Sequence, residues 1–217
     1  PCGGGMLDTP WRDFVTGFLV EQHGAAHLVA GADFRFGRGG EGTADKLREL
    51  CAQLGLGCDI IPKVELEGVT ISSTYIRGLI QAGEMERAVR FLGHPHCLTG
   101  QVAHGKRLGS RLGFPTVNLP LEPGVLVPAY GVYAAKAWVE DECHTAVANI
   151  GVRPTVDDGQ SVTVEAFLLD YDGDLYGRTV RLELYHRLRP ERRFDSLEEL
   201  RAAVMENARQ TRAYFEG

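Results

Sequence analysis

HGKRLGSRLGFPTVNLP, residues 104–120, marks the point where this 217-residue chain changes character. From about residue 97, just ahead of it, the apolar pattern changes from helical spacing to alternation, the period of a half-buried strand. Gly105, Gly109, Gly113 and Pro115 punctuate the stretch, with Lys106, Arg107 and Arg111 between them. Glycines let backbone N–H groups converge on an anion, because no Cβ blocks its approach. Thr116 and Asn118 follow, two positions apart. If Pro-Thr-Val-Asn-Leu is extended, both project from one face, where their oxygens can reach one hard cation. A phosphate cradle feeding a Mg²⁺ pair is the layout a nucleotide-using phosphotransferase requires. A Gly-rich β-turn with a solvated basic face would be written with the same residues.

From residue 98 on, LTGQVAHG, PTVNL, VYAAKAWV, HTAVANI, VTVEAFLL and RTVRLELYH read as six strands joined by Gly, Pro and Asp turns. Six such strands close most easily as a small antiparallel barrel. Asp195 or Ser196 then starts a terminal helix, and Ser196 with Glu199 spells a capping box. Leu197, Leu200, Val204, Ala208 and Phe215 form the stripe expected to pack on the barrel. DYDGDLYG (170–177) lacks the Gly and Glu that a calcium loop needs at its sixth and twelfth positions, and reads as a hairpin turn. In VTVEAFLL, alternation sets Val162, Val164 and Ala166 on one face and Thr163, Glu165 and Phe167 on the other.

Upstream, Thr9 and Pro10 open a helix over WRDFVTGFLVEQ, HLVAG reads as a strand, and DFRFGRGGEG as a loop. Thr43 caps a helix stopped by Gly55; CDIIP and GVTI read as strands. Ser72 or Ser73 caps the next helix, and MERAVRFLG supplies another. Strands alternating with helices imply a parallel α/β sheet, so the fold class is α/β followed by β. Gly37, Gly39 and Gly42 match G-x-G-x-x-G, but Asp59 falls at the start of its strand, not at the end where the ribose-binding acid of a dinucleotide fold belongs. GQVAHGK (100–106) lacks the Ser or Thr that a P-loop places after its Lys. Ser72, Ser73 and Thr74 at a helix start, with Arg77 one turn in, suit a bound anion, though an N-cap beside a surface arginine looks the same.

The net charge of −6 argues against a nucleic-acid binder, whose affinity comes from clustered Lys and Arg. The five cysteines are scattered without a C-x-x-C, which fits free thiols in a cytoplasmic protein better than disulfides or zinc. No apolar run approaches the roughly 18 residues of a membrane helix.

GKRLGSRLGFPTVNLP resembles the signature of riboflavin kinases, which phosphorylate the ribityl 5′-hydroxyl to make FMN. The resemblance continues through ISSTYIR (71–77), GVYAA (131–135), NIGVRPTV (149–156), VEAFLLDYDGDLYG (164–177) and LRPERRFDSLEEL (188–200). In order and spacing these segments are similar to the bacterial bifunctional riboflavin kinase/FMN adenylyltransferases, also called FAD synthetases. The resemblance implies a partial Rossmann-like nucleotidyltransferase domain over residues 1–96. A riboflavin kinase domain, a six-stranded antiparallel β-barrel with a C-terminal helix, would span 97–217. ATP and riboflavin are the implied small-molecule substrates and Mg²⁺ the cofactor, with neither nucleic acid nor membrane as partner. ATP is expected over Gly105, Lys106, Gly109, Gly113, Pro115, Thr116 and Asn118, the metal at Thr116 and Asn118, and the catalytic base at Glu165. Asn149, Arg153, Arg189, Arg192, Leu197 and Arg212 are the implied flavin contacts. Ser72, Ser73, Thr74 and Arg77 match the adenylyltransferase phosphate site. Four departures stand out: no H-x-G-H, whose imidazoles serve adenylyl transfer, occurs in the chain; Gly40 stands where relatives commonly carry a basic residue; Phe167 replaces a common His; and Asn207 replaces a common Asp. A silent flavin-binding module, or a chain retaining FAD synthesis, is the alternative. The module needs neither Thr116, Asn118 nor Glu165, and all three are present.

Overall fold

The structure, a computed structural model, describes residues 8–103, 116–154 and 160–217. Their packing divides into two units, Pro1–Ile71 and Ser72–Gly217.

In the first unit a short α1 (Trp11–Asp13) continues as a π-helix, Phe14–Gln22, where an ordinary α-helix was expected. Strands β1 (His27–Gly31) and β4 (Gly57–Ile61) pair in parallel, with α2 (Ala44–Leu54) in the crossover. Among the described residues this parallel sheet has two strands only. Thr43 caps α2 by accepting from the Lys46 N–H at 3.3 Å, and Gly55 ends it in the left-handed region. Val15, Leu47, Leu50 and Cys51 form the unit's core.

The expected loop 33–42 contains two short paired strands, β2 (Arg35–Phe36) and β3 (Gly42–Thr43). Two of its glycines have a packing reason. A Cβ on Gly37, which has φ 73°, would fall 2.5 Å from the Trp11 backbone, and one on Gly42 would meet the Phe36 ring at 2.7 Å. GVTI shortens to β6 (Val69–Thr70), paired with β5 (Glu65–Leu66).

The second unit opens with α3 (Ser73–Ala82) and α4 (Met85–Leu92), and Met85 belongs to the same core as the strands that follow. All six expected strands form: β7 (His96–Gln101), β8 (Val117–Asn118), β9 (Gly131–Val139), β10 (Glu142–Pro154), β11 (Gln160–Leu168) and β12 (Thr179–Pro190). They lie in the order β7-β12-β9-β10-β11-β8. An antiparallel bridge between Ala103 and Asn118 links the two outer strands and closes the ring. Closure leaves no long edge for another chain to pair with. Leu98, Leu182, Leu184, Val164 and Ile150 fill the interior.

Strand order corrects one expectation. β11 pairs with β10 and β8, whereas β12 pairs with β7 and β9, so residues 169–178 form a crossing connection and not a hairpin turn. Asp170 in that connection, at φ 58°, accepts both oxygens' worth of contact from Arg212, each at 2.8 Å.

The terminal helix α5 (Leu197–Glu216) is capped by Ser196, whose Oγ accepts from the Glu199 N–H at 3.1 Å. The return bond of the box lands one residue early, with the Asp195 N–H donating to Glu199 at 3.2 Å. Asn207, Ala208 and Thr211 are the buried face of the helix. The stripe holds except at its start, where Leu197 is 51% exposed.

Leu182 is fully buried and pairs with Leu98 and Ala137. Leu182→Ala should lower the unfolding free energy by about 2–5 kcal/mol, the usual cost of a core cavity. Urea denaturation followed by tryptophan fluorescence measures it.

Candidate active site

Strand pairing builds the site on the outer face of the barrel. Glu165 on β11 is opposite Asn149 on β10 and Asn118 on β8. Side chains directly opposite in antiparallel strands share a face, about 4.5–5.5 Å apart at Cβ. One row across three strands therefore carries amide, carboxylate and amide. Val164 and Ala166, the neighbours of Glu165 in sequence, are buried in the barrel core, so alternation turns Glu165 outward. Val117 likewise packs on the core, and Thr116 and Asn118 take the other face.

A cavity of about 280 Å³ opens beside this row, lined by Thr116, Asn149, Glu165 and Phe167 from the barrel and by Val204 and Asn207 from α5. The end of β12 contributes Arg189, and the following segment Glu191, Arg192 and Phe194. Two register irregularities, between Leu184 and His186 and between Arg187 and Arg189, bring Arg189 opposite Val132, which also lines the cavity. Arg189 donates from Nε to Oδ1 of the buried Asn207 at 3.2 Å. Its guanidinium and that of Arg192 both lie over the Phe194 ring, 5.5 and 4.6 Å from the centroid. Burial, then the like charge of Arg192, lowers the Arg189 pKa from its usual value, and Glu191 opposes the shift. The cavity thus has an apolar wall, a carboxylate–amide row at one end and a cationic cluster at the other.

Several expected residues converge here: Glu165, Asn149, Thr116, Arg189 and Arg192 all line the cavity, with Asn118 in the same cross-strand row. Leu197 and Arg212 do not line it; the first is exposed, and the second is held by Asp170. Of Arg153 only the backbone is described, paired with Ser161. Gly105, Lys106, Gly109, Gly113 and Pro115 lie outside the described residues. A second cavity of about 110 Å³ shares Thr116 with the first and is otherwise lined mainly by Val102, Leu168, Tyr171, Leu175 and Tyr176.

Glu191 and Phe194 were not foreseen as cavity residues. They lie in RPERRF beside the expected Arg189 and Arg192, where no local pattern singles them out. The placing of α5 beside the sheet makes them part of the cavity lining.

ISSTYIR forms the start of α3. Ser72 is its cap, accepting from the Tyr75 N–H at 3.2 Å, while Ser73, Thr74 and Arg77 are exposed. This cluster is separate from the cavity residues.

The donor set suits a magnesium ion. Thr116 and Asn118 offer neutral oxygens beside a carboxylate, and no group of three or more His, Cys, Asp or Glu among the described residues forms a metal cage. Mg²⁺ is commonly held by one or two protein oxygens together with substrate phosphates.

The riboflavin kinase family profile matches residues 92–215, and the FAD synthetase profile matches residues 6–75. Bifunctional riboflavin kinase/FMN adenylyltransferases of Listeria monocytogenes, Pseudomonas fluorescens and Escherichia coli K12 are 37%, 38% and 38% identical to it, over 93%, 93% and 94% of this chain. The chain spans 64%, 64% and 65% of their respective lengths. A crystal structure from Streptococcus pneumoniae, named a macrolide-efflux protein, superposes with TM-score 0.85 at 31% identity, covering 96% of this chain and 67% of that one. Among the described residues of the present chain, no helix is long and apolar enough to cross a membrane. With the riboflavin kinase profile covering more than half of its residues, this chain belongs to the riboflavin kinase family.

Proposed function

We propose that the chain is a riboflavin kinase, transferring the γ-phosphoryl group of ATP to the 5′-hydroxyl of riboflavin to give FMN. The observation that carries this reading is the Asn118–Glu165–Asn149 row beside a cavity of about 280 Å³ that Glu165, Asn149 and Thr116 line. Glu165 accepts the hydroxyl proton as the oxygen attacks; a carboxylate within hydrogen-bond reach is what phosphorylation of an alcohol needs. Thr116 and Asn118 would hold Mg²⁺, which would supply positive charge against the negative charge that develops on the phosphates. The isoalloxazine lies against Phe167, Val204 and the Arg189–Arg192 cluster, and the smaller cavity, apolar and sharing Thr116, takes the nucleotide base. Gly105, Lys106, Gly109, Gly113 and Pro115 are assigned to the ATP phosphates, on the strength of the signature they belong to. Arg153 is assigned to the flap over the ligands on the same ground.

We divide the chain functionally near residue 96, with a partial adenylyltransferase domain over 1–96 and the kinase domain over 97–217. The FAD synthetase match ends at residue 75 and the kinase match begins at residue 92, which supports this division. The helices α3 and α4 pack with the barrel all the same. The protein works in the cytoplasm, where ATP is abundant and thiols stay reduced; Cys51, Cys58, Cys97 and Cys143 are free.

These 217 residues should make FMN and no FAD. Adenylyl transfer needs stabilisation of charge on the α-phosphate, and H-x-G-H is absent from them. The helix start at Ser72–Arg77 can hold phosphate, but holding it without stabilising the transition state gives binding and no rate. Incubation with riboflavin, ATP and Mg²⁺, followed by chromatography, tests both statements. FMN alone is expected. FAD formed as fast as FMN would return the first 96 residues to the list of working enzymes, and riboflavin bound but left unphosphorylated would favour the silent flavin-binding module.

A further inference from the structure

Glu191 is the cavity's second carboxylate. Among the described residues it forms no ion pair within 4 Å, although Arg189 and Arg192 flank it in sequence. Instead its side chain lies on the backbone of Gly151. A Cβ built there would fall 1.9 Å from Glu191 Oε1, 2.4 Å from Cδ and 2.7 Å from Oε2. No other residue type leaves room for the carboxylate in this place. Gly151 pairs with Thr163, and the Thr163 hydroxyl donates to the Gly151 carbonyl at 3.5 Å. Thr163 is two residues along β11 from Glu165, so the Glu191 seat lies one same-face step, ~7 Å, from the row that holds the base.

We propose that Glu191 is a specificity-determining residue that accepts hydrogen bonds from the ribityl hydroxyls of the flavin, and that Gly151 is a glycine in order to seat it. The inference rests on the riboflavin kinase reading. The ribityl chain is a run of hydroxyl donors ending in the 5′-hydroxyl. A ligand with that terminus at Glu165 places its inner hydroxyls a few carbons away, at the distance of the second carboxylate. The ring imide N–H lies beyond the whole chain, too far for the same group. Two carboxylates, Glu165 on β11 and Glu191 seated on Gly151 of the neighbouring β10, thus read a polyol, the first activating its end and the second measuring its length.

The test compares two flavins by fluorescence titration: riboflavin and lumiflavin, which keeps the isoalloxazine but carries a methyl group in place of the ribityl chain. Glu191→Gln should weaken riboflavin binding roughly tenfold, the worth of a hydrogen bond to a charged acceptor. Lumiflavin affinity should stay within about twofold, and KM for riboflavin should rise more than kcat falls. Gly151→Ala should reproduce the loss, because its Cβ displaces the carboxylate. Added to Glu191→Ala, the same Gly151→Ala change should cost less than about twofold more, since the group it displaces is gone. Equal losses for riboflavin and lumiflavin would show damage to the ring site and overturn the proposal. So would full cost of Gly151→Ala in the Glu191→Ala background. A wild-type chain that neither binds nor phosphorylates riboflavin would overturn the kinase reading and this proposal together. A functional wild type with an unchanged Glu191→Gln variant would overturn the proposal alone.

Discussion

Glu165→Gln should lower FMN formation by roughly 10²–10⁴-fold, the usual contribution of a positioned general base. Glutamine keeps the size of the side chain and its place between Asn118 and Asn149, so the cavity and the sheet should persist. Riboflavin affinity should change little, because the carboxylate matters mainly as the proton moves. The measurement is single-turnover phosphorylation beside a flavin titration, which separates rate from binding. Near-normal turnover in the variant would remove Glu165 from the mechanism, and the proton would have to leave to water or to phosphate. A variant that failed to bind flavin at all would instead give Glu165 a role in holding the substrate.

Thr116→Val should raise the Mg²⁺ concentration needed for half-maximal activity by roughly 10–100-fold, which is what losing even a partner one step out from a metal costs. Valine retains the β-branched shape that suits extended backbone, and Thr116 lies immediately before β8, so the strand should be preserved. Excess Mg²⁺ should restore part of the turnover, an effect that damage to folding would not show. Asn118→Leu is the harsher change. The Asn118 backbone also forms the bridge to Ala103 that closes the barrel, and its carbonyl accepts from the Ala103 N–H at 2.9 Å. An unaltered Mg²⁺ dependence in Thr116→Val would mean that the cation is held by other residues.

Much of this molecule is legible from local chemistry. The six strands follow from period-two alternation between Gly, Pro and Asp turns, and the helix starts at Thr43, Ser72 and Ser196 follow from side chains that accept backbone N–H groups within the same turn. The outward aspect of Glu165 is equally local, since Val164 and Ala166 on either side of it need burial. Each of these depends on residues within a few positions of one another.

Strand adjacency does not. That Glu165 lies between Asn118 and Asn149 depends on β11 pairing with β8 and β10, segments far apart in the chain. The crossing connection at 169–178 looks like a hairpin because its Asp and Gly residues are turn formers in either role. The six strands with their terminal helix, the shared face of Thr116 and Asn118, and the face that Glu165 shares with Thr163 and Phe167 were determined by the sequence alone. The tertiary structure decided which charged residues after β12 enter the cavity, left Leu197 and Arg212 outside it, and set the Glu191 carboxylate on Gly151. The physical reason is one of range: alternation, caps and turns are settled by neighbours in sequence, whereas a cavity's walls are settled by which distant surfaces can bury their apolar area against each other.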